Sequence, residues 1–203
     1  MGKIGHLIVI SGPSGVGKGT VCAELMRIRP DLRLSISATT RAKRPAEVEG
    51  ENYFFRSLDE FNQLIDEGKL IEFAKVHGNY YGTPKDFVVE QIQSGQDVIL
   101  EIDVQGAMQV KQNMANGVFI FLLPPHRCDL EQRIRQRGTE EEDAIRIRMS
   151  NAKKEIAMLI DYDYAVINDQ VDDCARTISH IIDAENRRIN RNLLEEYWEE
   201  FHD

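Results

Sequence analysis

The residues Gly12-Pro13-Ser14-Gly15-Val16-Gly17-Lys18-Gly19-Thr20 bring four glycines and one cation into nine positions. Between a strand and a helix, such a run turns successive backbone N–H groups toward one point, and the helix start adds positive potential. The chemistry this suits is the cradling of phosphates, with Lys18 reaching the β and γ groups of a nucleoside triphosphate. Gly12, Gly17 and Lys18 satisfy the P-loop pattern G-x-x-x-x-G-K-[ST], but Gly19 stands where the pattern has a hydroxyl for Mg²⁺. Thr20, one residue further, is the candidate on the metal side.

Other residues have the right type for binding an anionic substrate. Arg41 and Arg44 offer two guanidinium forks close together, suited to a near-dianionic monophosphate, and Tyr53 and Tyr81 add hydroxyls. In isolation these could equally be a solvated basic loop and two core tyrosines. Glu72 lies in the apolar stretch "LIEFAKV", an odd choice for a buried strand unless it faces a polar ligand; an exposed edge strand is the alternative. Arg133 and Arg137 share a helical face and Arg148 follows in the next helix, so the three could surround a transferring phosphoryl group or form an exposed charge run. Asp103-Val104-Gln105-Gly106 also reads as the D-x-x-G switch of a GTPase, but no N-K-x-D guanine-reading tetrapeptide follows it. The five histidines form no catalytic set. Phosphoryl transfer to a phosphate oxygen needs none, because the nucleophile is already an anion.

These residues need a framework. "HLIVIS" (6–11), "QDVILEID" (96–103), "GVFIFLL" (117–123) and "YAVIN" (164–168) are apolar runs suited to buried strands, with helical segments between them. The alternation predicts an α/β fold: a mainly parallel sheet, helices on both faces, and ligands beyond the carboxyl ends of the strands. Two segments interrupt it. Over about 34–94, short strands ("RLSIS", "ENYFF", "LIEFAKV") surround a helix opened by Ser57 and Glu60 at capping-box spacing, which predicts an inserted α+β lobe. Over about 126–158, two helical stretches meet at "RGTEEED", where Gly138 can stop one helix and Thr139 with Glu142 can cap the next, predicting a helical lid. The core is then about 1–33, 95–125 and 159–203.

The chain has 203 residues, 42% of them hydrophobic, enough for one well-buried domain. A net charge of −9 argues against nucleic-acid binding, which needs basic surface. No apolar stretch reaches the roughly 18 residues that span a bilayer, and no export signal is visible, so a cytoplasmic protein without membrane partners is expected. Cys22, Cys128 and Cys174 are far apart, without metal-ligand spacing, and read as reduced thiols. Leu193, Leu194, Tyr197, Trp198 and Phe201 make an apolar stripe at helical spacing, suited to packing on the core or to a homo-oligomer contact.

"SISATTRAKRP" (35–45), "GENYFF" (50–55), "IEFAKVHGNYYGT" (71–83) and "EIDVQG" (101–106), together with the P-loop, resemble guanylate kinases in order and spacing over nearly the whole chain. The resemblance implies a P-loop three-layer core, a GMP-binding lobe and a mobile lid, and an enzyme that transfers the γ-phosphoryl group of ATP to GMP or dGMP. It implies that Gly12 to Thr20 bind ATP with Asn168 on the adenine side. Arg41, Arg44, Tyr53 and Tyr81 would hold the GMP phosphate. Glu72 and Asp103 would accept from the guanine N1–H and 2-amino groups, with Ser37 and Thr83 completing the base contacts. Lys18, Arg133, Arg137 and Arg148 would carry the transfer. Asp103 has a second possible role near Mg²⁺, and Glu101 stands where many relatives have Asp. Adenylate kinases share "GKGT", which suggests Mg²⁺ held mostly by phosphate oxygens and water. Two rivals remain: another monophosphate kinase, and a noncatalytic protein-binding relative that would have lost the ATP site.

Overall fold

The computed structural model describes residues 4–76, 78–135 and 142–188. Five strands form a wholly parallel sheet in the order β2-β7-β1-β8-β9: β1 Leu7–Ser11, β2 Arg33–Leu34, β7 Val98–Glu101, β8 Val118–Leu123 and β9 Tyr164–Ile167. Every residue of β1 is buried, as expected of a central strand covered on both faces. Its alternate side chains serve two cores. Ile8 and Ile10 pack with Val21 and Leu25 of α1 (Lys18–Ile28) and with Ile178 and Ile182 of α7 (Val171–Glu185). Leu7 and Val9 pack on the other face with Val88 of α3 (Lys85–Gln93) and with Ala107 and Val110 of α4 (Val104–Asn113). Helix, sheet and helix make the three layers of the P-loop fold.

The second sheet has four strands in the order β4-β3-β6-β5: β3 Ala38–Thr39, β4 Phe54–Phe55, β5 Leu70–Val76 and β6 Asn79–Pro84. It is mixed, with β3 parallel to β4 and antiparallel to β6, and β6 antiparallel to β5. The expected helix is α2, Leu58–Asp66, and its capping box is complete: the Glu60 N–H donates to Ser57 Oγ while the Ser57 N–H donates to Glu60 Oε2. "RLSIS" differs from the expectation of one lobe strand. Arg33–Leu34 pairs with β7 in the parallel sheet, and the chain then crosses at 35–37 to pair as β3 in the second sheet. Ser37 therefore stands at the junction of the two sheets.

Two helices follow β8, α5 (Arg127–Arg135) and α6 (Glu142–Ala157). Leu130 and Ile134 of α5 and Ile145 and Ala152 of α6 join the core that covers α1 and α7. The turn chemistry assigned to Gly138 and Thr139, the side chain of Arg137 and the stripe from Leu193 to Phe201 lie outside the described residues. No helix among the described residues is long and apolar enough to cross a membrane.

Candidate active site

Register brings the chemistry together. β1 ends at Ser11 and runs directly into the loop, and its neighbour β7 pairs Glu101 with Ile10, so Glu101, Ile102 and Asp103 emerge beside Gly12 at the carboxyl ends of the strands. Gly17 takes φ 99°, a conformation side chains rarely adopt, and a Cβ there would lie 2.6 Å from Asn168 Nδ2. The pattern's second glycine is thus required by both backbone and space. α1 begins at Lys18 with no acidic residue in its first turn, which keeps its positive end available to an anion.

Lys18 Nζ donates to the carbonyls of Gly12 (2.7 Å) and Pro13 (3.4 Å). Burial lowers its pKa, opposed by the carboxylates of Glu101, Glu155 and Asp103. Glu155 lies on α6, and its Oε2 accepts from the Ser14 N–H at 3.4 Å, where a phosphate oxygen could bind. Arg148, only 7% exposed, donates from Nη2 to Ser14 Oγ at 2.8 Å. Arg148, Asn151 and Glu155 all line the cleft that holds Lys18. Their i, i+3, i+7 spacing marks one helical face, of which only the arginine is expected from the sequence.

Gly19 finds an explanation in Glu101. A Cβ at Gly19 would stand 3.3 Å from Glu101 Oε1, so this carboxylate occupies the space beside position 19. Among the described residues no group of three His, Cys, Asp or Glu side chains could hold a metal by itself. One carboxylate beside a phosphate cradle fits Mg²⁺ bound chiefly through phosphate oxygens and water. Thr20 is exposed on α1.

On the far side of the loop, Asn168 (3% exposed) donates from Nδ2 to the Val16 carbonyl at 2.8 Å. Arg133 donates to the carbonyls of Val16 (3.1 Å) and Asn168 (2.9 Å). Both brace the loop from behind. Arg133 lines a separate recess with His126 and Asp169, so the structure does not bring it to Lys18 as it brings Arg148.

The same cleft, about 290 Å³, is completed by Ser37, Tyr53, Glu72 and Tyr81 from the second sheet. Tyr53 and Tyr81 meet edge to face with centroids 5.9 Å apart, and the Arg41 guanidinium lies 5.3 Å from the Tyr53 ring centre. Arg41 Nη2 pairs with Glu47 Oε1 at 2.6 Å, which raises the arginine's pKa. The other Glu47 oxygen accepts from the Arg44 N–H at 2.8 Å, while the Arg44 side chain is exposed. One carboxylate thus sits between the two arginines expected to hold a phosphate.

Glu72 is 4% exposed. Its Oε1 accepts from Thr83 Oγ1 at 2.7 Å, and its Oε2 lies 2.5 Å from where a Cβ on Gly106 would stand. Only glycine at 106 leaves the carboxylate room. Asp103 caps α4 by accepting from the Gly106 N–H at 2.8 Å. The D-x-x-G spacing is therefore used here to cap a helix and to admit Glu72. Burial pushes the Glu72 pKa up to about 7; the Thr83 hydroxyl opposes this and the nearby Asp103 charge adds to it.

The comparisons with known proteins agree with one another. A family model described as guanylate kinase matches residues 4–185. A guanylate kinase of Caldanaerobacter subterraneus subsp. tengcongensis is 53% identical over 190 residues, which cover 94% of this chain and 92% of that one. One from Clostridium tetani is 52% identical over 187 residues, 92% of this chain and 89% of the relative. The crystal structure of guanylate kinase from Anaplasma phagocytophilum superposes with a TM-score of 0.77 at 32% identity, covering 93% of this chain and 89% of that one.

Proposed function

The chain belongs to the guanylate kinase family and transfers the γ-phosphoryl group of ATP to GMP, and from that premise we propose how its residues divide the reaction. Gly12 to Thr20 bind the ATP phosphates through backbone N–H groups, and Lys18 exchanges its two loop carbonyls for β- and γ-phosphate oxygens. Glu155 gives up the Ser14 N–H when a phosphate arrives, while Arg148 moves from Ser14 Oγ to the transferring group. Arg137 joins it from the lid. Arg133 and Asn168 act from behind, holding the loop beside the adenine. When bound, Mg²⁺ would neutralise charge on the triphosphate, and Glu101, Asp103 and Thr20 are the residues that would face its hydration shell.

On the acceptor side, Arg41 leaves Glu47 for the GMP phosphate, with Arg44, Tyr53 and Tyr81 around the same oxygens. An oxygen of that phosphate attacks the γ-phosphorus, the bond to the β–γ bridging oxygen breaks, and ADP leaves. No proton has to move, so positioning and charge carry the reaction. Guanine presents N1–H and a 2-amino group as adjacent donors, and Glu72 and Asp103 accept them with Ser37 and Thr83 alongside. The three cysteines are free thiols, which suits a reducing, cytoplasmic setting.

The observation that carries the base assignment is the buried Glu72 carboxylate, bonded to Thr83 beside Asp103 in the cleft that also contains Lys18. An adenine would set its N1 lone pair against that carboxylate. Rates with GMP, dGMP and AMP test it, in the wild type and in Glu72→Gln. We expect GMP to be preferred, and the variant to lose roughly 100-fold or more in kcat/KM for GMP with a relative gain for AMP and an unchanged KM for ATP. Wild-type kcat/KM for GMP in the variant would remove Glu72 from the base site.

A further inference from the structure

Glu72 stands in an irregular part of its strand. β5 pairs with β6 through Leu70 with Pro84 and Phe73 with Gly82, so Ile71 and Glu72 together face the single residue Thr83. This two-against-one count is a β-bulge, a device that re-aims a side chain at the cost of regular pairing. Thr83 is the residue whose hydroxyl bonds Glu72. β5 is also an edge strand of its sheet, so β6 alone pairs with it.

The open edge is taken by α4. The Gln109 side-chain amide brackets Phe73 as a neighbouring strand would: Nε2 donates to the Phe73 carbonyl at 2.8 Å and Oε1 accepts from the Phe73 N–H at 3.2 Å. One turn further, Asn113 Nδ2 donates to the Ile71 carbonyl at 3.0 Å. The residues on both sides of Glu72 are therefore tied to one helix. Asp103 caps α4, and within the helix Gly106 makes room for the Glu72 carboxylate while Gln109 and Asn113 hold the bulged strand. α4 begins directly after β7, whose end is fixed beside the phosphate loop by its register with β1.

We infer that Gln109, supported by Asn113, is a positioning residue for base selection: by holding the bulge of β5 it fixes the Glu72 carboxylate relative to Asp103 and to the phosphate loop. The inference rests on Glu72 being the base reader. Without the bracket, the strand can tilt about its irregular point, and a displacement of about 1 Å is enough to spoil a site that depends on alignment.

A double-mutant cycle of Gln109→Met and Glu72→Gln tests this, reading kcat and KM for GMP, kcat/KM for AMP, KM for ATP and Tm. Gln109→Met keeps the length of the side chain and removes both hydrogen bonds. We expect the KM for GMP to rise roughly 10-fold, with kcat and the KM for ATP within about twofold of wild type, since two backbone hydrogen bonds are lost. In the Glu72→Gln background the same change should alter kcat/KM for GMP by less than about twofold, because the group it positions is gone. Asn113→Ala, at an exposed position, should give a smaller rise of about threefold in the same parameter, and it serves if Gln109→Met lowers Tm strongly. Independent, multiplying losses from Gln109→Met and Glu72→Gln would overturn the inference, as would equal losses for GMP and ATP. If Glu72→Gln alone left kcat/KM for GMP unchanged, the base-reader reading would fail first and take this inference with it.

Discussion

In the phosphate loop the candidate anion donors are backbone N–H groups of one contiguous segment, Pro13 excepted, whereas across the cleft the candidate substrate contacts are side chains, Arg41, Tyr53 and Tyr81 as donors with Glu72 and Asp103 as acceptors, drawn from segments around both sheets. Both sides hold an internal carboxylate. Glu155 sits 3.4 Å from the Ser14 N–H, while Glu47 sits 2.6 Å from the Arg41 guanidinium. The long contact leaves a backbone cradle that is fixed by its glycines and needs no partner to keep its shape. The short one parks a flexible arginine that would otherwise be free to wander. A loop of backbone donors recognises any triphosphate. Side chains from several strands can tell one base from another.

Mutations on the two sides should separate cleanly. The largest effect belongs to Lys18→Ala, which removes the one cation inside the loop and should lower kcat by about 1000-fold, as for a positioned charge donor, with GMP affinity unchanged in direct binding. A parallel loss of GMP affinity would mean the two sides share their energetics. A much smaller effect is expected from Glu47→Gln, which frees Arg41 of a competing charge while keeping an acceptor for the Arg44 N–H. Its KM for GMP should fall a few-fold in steady-state assays, with the KM for ATP unmoved. A rise would show that Glu47 orients Arg41 more than it occupies it.

The contrast also governs what could be read from the sequence. The loop was legible because its donors are contiguous and its glycines answer local needs, as at Gly17. Glu72 was legible as a charge out of place in an apolar strand. The bulge beneath it was not, since register depends on Thr83 and its neighbours, which pair from another strand. Gln109 and Asn113 read as ordinary polar positions on an amphipathic helix, and only the approach of β5 gives them partners. "RLSIS" has the local pattern of a lobe strand, but pairing of Arg33–Leu34 with β7 is decided by distant residues. Arg133 and Arg148 have the same residue type and helical context. One braces the back of the loop and the other faces the cleft, a difference set by how α5 and α6 pack.

The charge state of Glu72 offers the most direct test of base reading. Burial holds its pKa up at about 7, above the ordinary carboxylate range, so at pH 6.5 it is substantially protonated. Guanine donors favour the carboxylate, so binding GMP should expel that proton, and GMP affinity should rise as pH increases from about 5.5 to 8. The GMP phosphate, with its own pKa near about 6, also loses protons on binding, but equally in Glu72→Gln. Calorimetry of GMP binding at pH 6.5 in two buffers of different ionisation enthalpy counts the protons for both proteins. The wild type should release a substantial fraction of a proton more than Glu72→Gln. Equal proton release by the two would contradict it.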